Sequence, residues 1–159
     1  MSPPTARALV EAMEDPELPH VTIGDLGIVR SVEVDGEEVT VVLTPTFTGC
    51  PAMDQITADV TAVLRAAGYR PTVRRSLSPA WSTDWITAEG RRKLAAAGIA
   101  PPPDDVAGRG VTVLLDTPVA CPRCGSRRTR RQSEFGATAC KAPYVCTSCQ
   151  EPFEGFKPV

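Results

Sequence analysis

Two Cys-x-x-Cys pairs sit in the C-terminal part of the chain, one in Cys121-Pro122-Arg123-Cys124-Gly125 and one in Tyr144-Val145-Cys146-Thr147-Ser148-Cys149. This spacing puts each pair of thiolates on one knuckle turn, where backbone amides point at the sulfurs, and the intervening segment can bring the two knuckles together into a tetrahedral site. A module of some forty residues buries too little apolar surface to fold unaided, so ligand–metal bonds would supply much of its stability. The expectation is a zinc-ribbon-like module over residues 119–159, with Cys121, Cys124, Cys146 and Cys149 holding a structural zinc ion. Four thiolates also suit an iron-sulfur cluster, and the spacing alone does not separate the two.

The chain has 159 residues and six cysteines, which leaves room for one ordinary domain plus this appendage. It opens Met1-Ser2-Pro3-Pro4-Thr5 with no apolar run of signal-peptide length, and no later stretch is apolar enough to cross a bilayer. A cytoplasmic setting follows as an expectation, and there paired cysteines read as metal ligands or reactive thiols rather than disulfides. Charge is uneven. Residues 119–159 carry seven Lys/Arg and three Asp/Glu, while the remainder carries ten and sixteen. Opposite signs on the two parts would help them dock or attract an acidic partner, and a solvated face of mixed charge explains the same counts.

Along the first hundred residues the pattern predicts an α+β domain. A short helix over Thr5 to Met13 leads into Asp15-Pro16-Glu17-Leu18-Pro19, where two prolines force a turn or an extended segment. Ile28 to Val34 and Glu38 to Leu43 are rich in β-branched residues, and Asp35-Gly36 between them signals a hairpin. Met53, Ile56, Val60, Val63 and Leu64 recur at helical spacing up to Gly68, and Thr72 to Leu77 supplies a third strand. The order is α-β-β-α-β, a small sheet with helices on one face. Trp81 and Trp85 follow, read as anchors onto the core or as partner-binding residues, and then a helix near Ala88 to Ala97 ends at Gly98. Domain boundaries are expected at 1–103 and 119–159, joined by a linker over 104–118 with one strand, Val111 to Leu115.

Cys50 stands between Gly49 and Pro51 at the expected start of the Met53 helix. A thiol there feels the positive end of the helix dipole and free amides, which lowers its pKa and favours the thiolate. The competing reading is a small buried hydrophobe. Cys140, beside Lys141, is a fifth cysteine in the tail: a bystander, a redox-active thiol or a cluster ligand. His20 is the single histidine, and no phosphate-binding glycine loop, HExxH or di-iron ExxH pattern occurs. No catalytic residues are assigned, and the chain is not expected to be active alone.

Asp15-Pro16-Glu17-Leu18-Pro19, Asp25-Leu26-Gly27 and Thr48-Gly49-Cys50-Pro51 together resemble the small domain of cytosolic iron-sulfur assembly factors. With Pro79-Ala80-Trp81-Ser82-Thr83-Asp84-Trp85, Cys121-Pro122-Arg123-Cys124 and Ser133-Glu134-Phe135-Gly136-Ala137-Thr138-Ala139-Cys140-Lys141, nearly the whole chain resembles the PaaD family, proteins associated with the bacterial phenylacetyl-CoA epoxidase. That resemblance implies an accessory role in aerobic phenylacetate catabolism. The epoxidase is a multicomponent di-iron monooxygenase fed by a reductase with flavin and a 2Fe-2S cluster, and a PaaD-like component would mature or deliver iron or clusters to the oxygenase or the reductase. Cys50 matches the cysteine of the assembly-domain motif, with Asp15, Glu17, Asp25, Thr48 and Gly49 as its supporting motif residues. One departure stands out: relatives commonly end in Phe-Lys-Cys, whereas here Phe156-Lys157 is followed by Pro158. This favours the two Cys-x-x-Cys pairs as the complete ligand set, unless the metal chemistry differs here.

The alternative is a non-catalytic structural component bound permanently to the oxygenase. A third reading, a nucleic-acid-binding ribbon, rests on Arg127, Arg128, Arg130 and Arg131, and the acidic first domain and scarce tail aromatics speak against it. A homodimer fits a small open sheet with an uncovered edge.

Overall fold

A computed structural model describes residues 4–103 and 118–157. The chain divides into two compact units, Met1–Trp81 and Ser82–Val159.

In the first unit, helix α1 (Ala6–Glu11) starts at Thr5, whose side chain accepts a hydrogen bond from the Ala8 amide. The proline-punctuated segment after it is more ordered than a turn: β1 (Glu14–Asp15) pairs with β2 (Leu18–Thr22) as a small irregular hairpin. Strands β3 (Val29–Asp35) and β4 (Glu38–Leu43) form the expected antiparallel hairpin, closed at the Asp35–Glu38 pair with Gly36 at φ 60°. Helix α2 (Ala52–Ala66) then crosses over to β5 (Arg70–Arg75), which runs parallel to β4, giving the sheet order β3-β4-β5. Val39, Val41 and Leu43 on the central strand and Met53, Ile56, Val60 and Leu64 on one face of α2 are all buried in the core. The αββαβ order and the α+β class are as expected, with the β1–β2 hairpin added.

Trp81 closes this unit. It is buried and its indole Nε1 donates to the Leu26 carbonyl at 2.8 Å. Burial of the ring with its N–H satisfied is the arrangement of a core anchor.

The second unit begins with a 3-10 turn (Thr83–Trp85) in which Trp85 is half-buried, followed by α3 (Ala88–Ala96) with Thr87 capping Gly90. Strand β6 (Ile99–Ala100) pairs in parallel with β9 (Pro152–Phe156), and β8 (Lys141–Cys146) lies between β9 and β7 (Thr129–Arg131), so the sheet order is β6-β9-β8-β7. The division between units therefore falls earlier than the expected 103/104 boundary, because β6 and the helix leading to it belong with the ribbon. Ala100, Val119, Ala142, Tyr144 and Phe153 form a shared apolar cluster with the sulfurs of Cys121 and Cys146. Tyr144 stacks on Phe153 with ring centroids 5.7 Å apart, and Gly155 lies under the Tyr144 ring so closely that a Cβ there would sit 2.7 Å from it. The expected strand Val111 to Leu115 lies outside the described residues.

Candidate metal centre

Each Cys-x-x-Cys turn of the second unit is built the same way. In the first knuckle, the Gly125 amide donates to the Cys121 carbonyl at 2.8 Å and the Cys121 amide to Ser126 at 2.9 Å. The second repeats this, with the Gln150 amide on the Cys146 carbonyl at 3.0 Å and the Cys146 amide on Glu151 at 2.9 Å. The residue after the second cysteine is left-handed in both, Gly125 at φ 72° and Gln150 at φ 64°. Glycine adopts that conformation freely and glutamine does not, so the second knuckle is held against a local preference.

The two turns face one another. The four cysteine Sγ atoms lie within 4.8 Å of each other, with Cys121–Cys149 at 3.8 Å and Cys124–Cys146 at 3.6 Å. Four thiolates ~2.3 Å from one ion lie ~3.8 Å apart at tetrahedral angles, close to the separations of these two pairs. Cys121 and Cys146 are buried on the sheet side, Cys124 and Cys149 exposed.

Protonation points the same way. The Cys149 amide holds the Cys146 thiol down to about 6, joined by the Ser148 amide and the neighbouring thiols of Cys124 and Cys149. The Glu151 amide also draws Cys149 down, but burial and the sulfurs of Cys124, Cys146 and Cys121 outweigh it and push Cys149 up to about 12. One thiolate is thus welcome and further ones are resisted, since like charges accumulate within 4.8 Å. A divalent cation removes that resistance, so the donor set fits a metal ion.

Cys50 heads α2. Pro51 gives that helix no side-chain cap, and the Ala52 and Met53 amides act on the Cys50 sulfur, as the helix-terminus reading expects. The net effect on its pKa is opposite to the one expected. Burial raises it most, and the carboxylates of Glu17 and Asp15 raise it further against those two amides. The field of Asp15 and Glu17, set by the β1–β2 hairpin, is what the local sequence did not disclose. Asp15 is buried and accepts the Glu17 amide at 2.8 Å, while Asp25 and Thr22 exchange hydrogen bonds of 3.0 Å to form the next turn. Thr48 and Gly49 are exposed on the loop before Cys50, with Gly49 at φ 79°.

Cys140 is outside the four-sulfur group. It is buried, with Thr138 Oγ1 at 3.2 Å from its Sγ and the Lys157 amide on its carbonyl at 2.8 Å. Lys141 turns inward to pair with Glu154 at 2.8 Å. Sequence reasoning missed the side chains that join the knuckles: Ser126 and Ser148 hydroxyls 2.8 Å apart, Arg128 Nε on Ser148 at 3.0 Å, and Arg123 paired with Glu151. Aligning the two knuckles on each other would have found Ser126 and Glu151, each of which follows the left-handed residue.

Comparison with known proteins gives a separate family to each part of the chain. The family described as iron-sulfur cluster assembly protein matches residues 5–73, and the one described as PaaD zinc beta ribbon domain matches residues 108–157. An Escherichia coli protein named as a component of 1,2-phenylacetyl-CoA epoxidase is 45% identical over 151 residues, 94% of this chain and 89% of its own length. A Porphyromonas gingivalis Fe-S protein maturation auxiliary factor is 33% identical over 89 residues, 54% of this chain and 84% of its own. A crystal structure of a DUF59 domain of unknown function from Bacillus anthracis superposes with TM-score 0.52 at 32% identity, covering 56% of this chain and 87% of that one. With the assembly domain, the four-cysteine ribbon and a relative matched along nearly the whole chain in agreement, this chain belongs to the PaaD family of phenylacetyl-CoA epoxidase components.

Proposed function

We propose that this chain is an accessory component of a phenylacetyl-CoA epoxidase system in aerobic phenylacetate degradation, without activity of its own, that matures the oxygenase or the reductase by delivering iron or an iron-sulfur cluster. The observation that carries this reading is the place of Cys50: a thiol at the head of α2, close to the Ala52 and Met53 amides and within the electrostatic field of the Glu17 and Asp15 carboxylates. Those carboxylates oppose a bare thiolate and favour a cation in its place. Iron cargo fits this pattern, because a metal ion can replace the thiol proton while the acidic pair contributes attraction. Loading then releases a proton and strengthens as pH rises.

The ribbon has a separate part. Cys121, Cys124, Cys146 and Cys149 would hold zinc, whose role there is to tie the two knuckles into a folded sheet. Convergence of all four sulfurs on one centre supports a single ion over a cluster, whose ligands are spread around several metal atoms. Among the ribbon arginines, Arg128 is engaged with Ser148 and Arg131 lies 3.5 Å from Glu134, which leaves less for nucleic acid than the sequence promised.

The test is to produce the epoxidase components with the wild-type chain, with Cys50→Ser, and without either. The reading expects a low iron content and activity in the last two and full values in the first. Full iron in all three contradicts it. A permanent structural role is favoured by one feature, Phe135, 80% exposed in the 133–141 segment with Lys157 Nζ 5.5 Å from its ring centroid. Stoichiometric co-purification that survives Cys50→Ser, with iron unaffected, would select that alternative.

A further inference from the structure

The two knuckles are joined by side chains that need no metal. On one side, Ser126 Oγ lies 2.8 Å from Ser148 Oγ, Arg128 donates through its backbone amide to Ser126 Oγ at 3.1 Å and through Nε to Ser148 Oγ at 3.0 Å, and the Thr147 hydroxyl returns to the Arg128 carbonyl at 2.9 Å. On the other side, Arg123 from within the first knuckle pairs with Glu151, which closely follows the second. The Arg123 cation also feels the sulfurs of Cys149 and Cys121. Two clasps therefore flank the four sulfurs, each linking one knuckle to the other.

We propose that Ser126, Ser148 and Arg128, together with Arg123 and Glu151, are positioning residues that hold the cysteine tetrahedron in register before a metal ion arrives. A ligand set ordered in advance loses less conformational freedom on binding, so the clasps add to metal affinity although none of their atoms reaches the metal. Arg123 has a further effect, because four thiolates on a divalent ion leave a net negative charge that its guanidinium offsets. The serine clasp is the one that fixes geometry, since hydroxyls 2.8 Å apart leave little play.

This inference rests on the metal-binding reading of the four cysteines, and the experiment separates the two. Zinc affinity of the full-length chain is measured by competition with a chromogenic chelator, for wild type, Ser126→Ala/Ser148→Ala, Ser148→Thr and Arg123→Ala, alongside the visible spectrum of the cobalt-substituted forms. The double alanine variant is expected to bind zinc about 10-fold more weakly, within the range found for lost supporting hydrogen bonds. Ser148→Thr keeps the hydroxyl on an exposed position and is expected to match wild type, and all cobalt spectra should retain the tetrahedral thiolate signature. Affinity within twofold of wild type for both alanine variants overturns the clasps while leaving the metal site intact. A loss that Ser148→Thr does not restore also overturns them, as it would reflect general destabilisation. A wild-type chain that takes up no zinc overturns the metal reading itself.

Discussion

Gln150 occupies, at φ 64°, the place that Gly125 fills in the other knuckle. Gln150→Gly should therefore stabilise the metal-loaded chain by about 1 kcal/mol, and Gly125→Ala should destabilise it by a similar amount, both readable as shifts in thermal midpoint. Thr44 offers a second test. It is buried and its hydroxyl has no partner among the described residues, so Thr44→Val is expected to raise stability by about 1 kcal/mol in denaturant titration. At Cys50 the sign matters: the Glu17 carboxylate holds the thiol pKa up, so Glu17→Gln should lower it and speed alkylation by iodoacetamide at neutral pH. A slower or unchanged rate contradicts that electrostatic picture. The four ribbon cysteines were legible because each pair is defined within four residues of sequence. The protonation of Cys50 was not, because it is set first by burial and then by the field of carboxylates from a hairpin far upstream.

Elements with a strong period were equally readable. Helix α2 shows its buried face at helical spacing, and the β3–β4 hairpin announces itself through Asp35-Gly36 and alternating valines. Strands β6 and β7, of two and three residues, carry no detectable period, and their pairing is set by the ribbon into which they fold. This explains why the division between the compact units falls before α3. Ile99 and Ala100 belong to the sheet of β9, and Arg91 ties α3 to the Thr83 and Pro102 carbonyls within the same unit. A fragment spanning 82–159 loaded with zinc should consequently melt at a higher temperature than one spanning 104–159, which lacks β6 and α3. Equal midpoints would show that the ribbon stands without them.

Taken whole, the molecule joins a domain built on an apolar core to one in which a smaller apolar cluster lies against four converging cysteines. A metal chelator should shift and broaden the backbone amide signals of the two knuckles, residues 121–126 and 146–151, while leaving those of residues 4–81 unchanged, because the first unit contains no metal ligand set among the described residues. No helix among the described residues is long and apolar enough to cross a membrane. The proposed function gives the two units separable tasks, holding zinc in one and handling iron in the other. That separation is tested by anaerobic incubation of wild type and Cys50→Ser with Fe(II) and sulfide, followed by gel filtration and assay of zinc, iron and acid-labile sulfide per chain. One zinc in both proteins, with iron retained by the wild type and lost from Cys50→Ser, is the result expected of a carrier that uses Cys50. Iron retained equally by both proteins, or by neither, would contradict it.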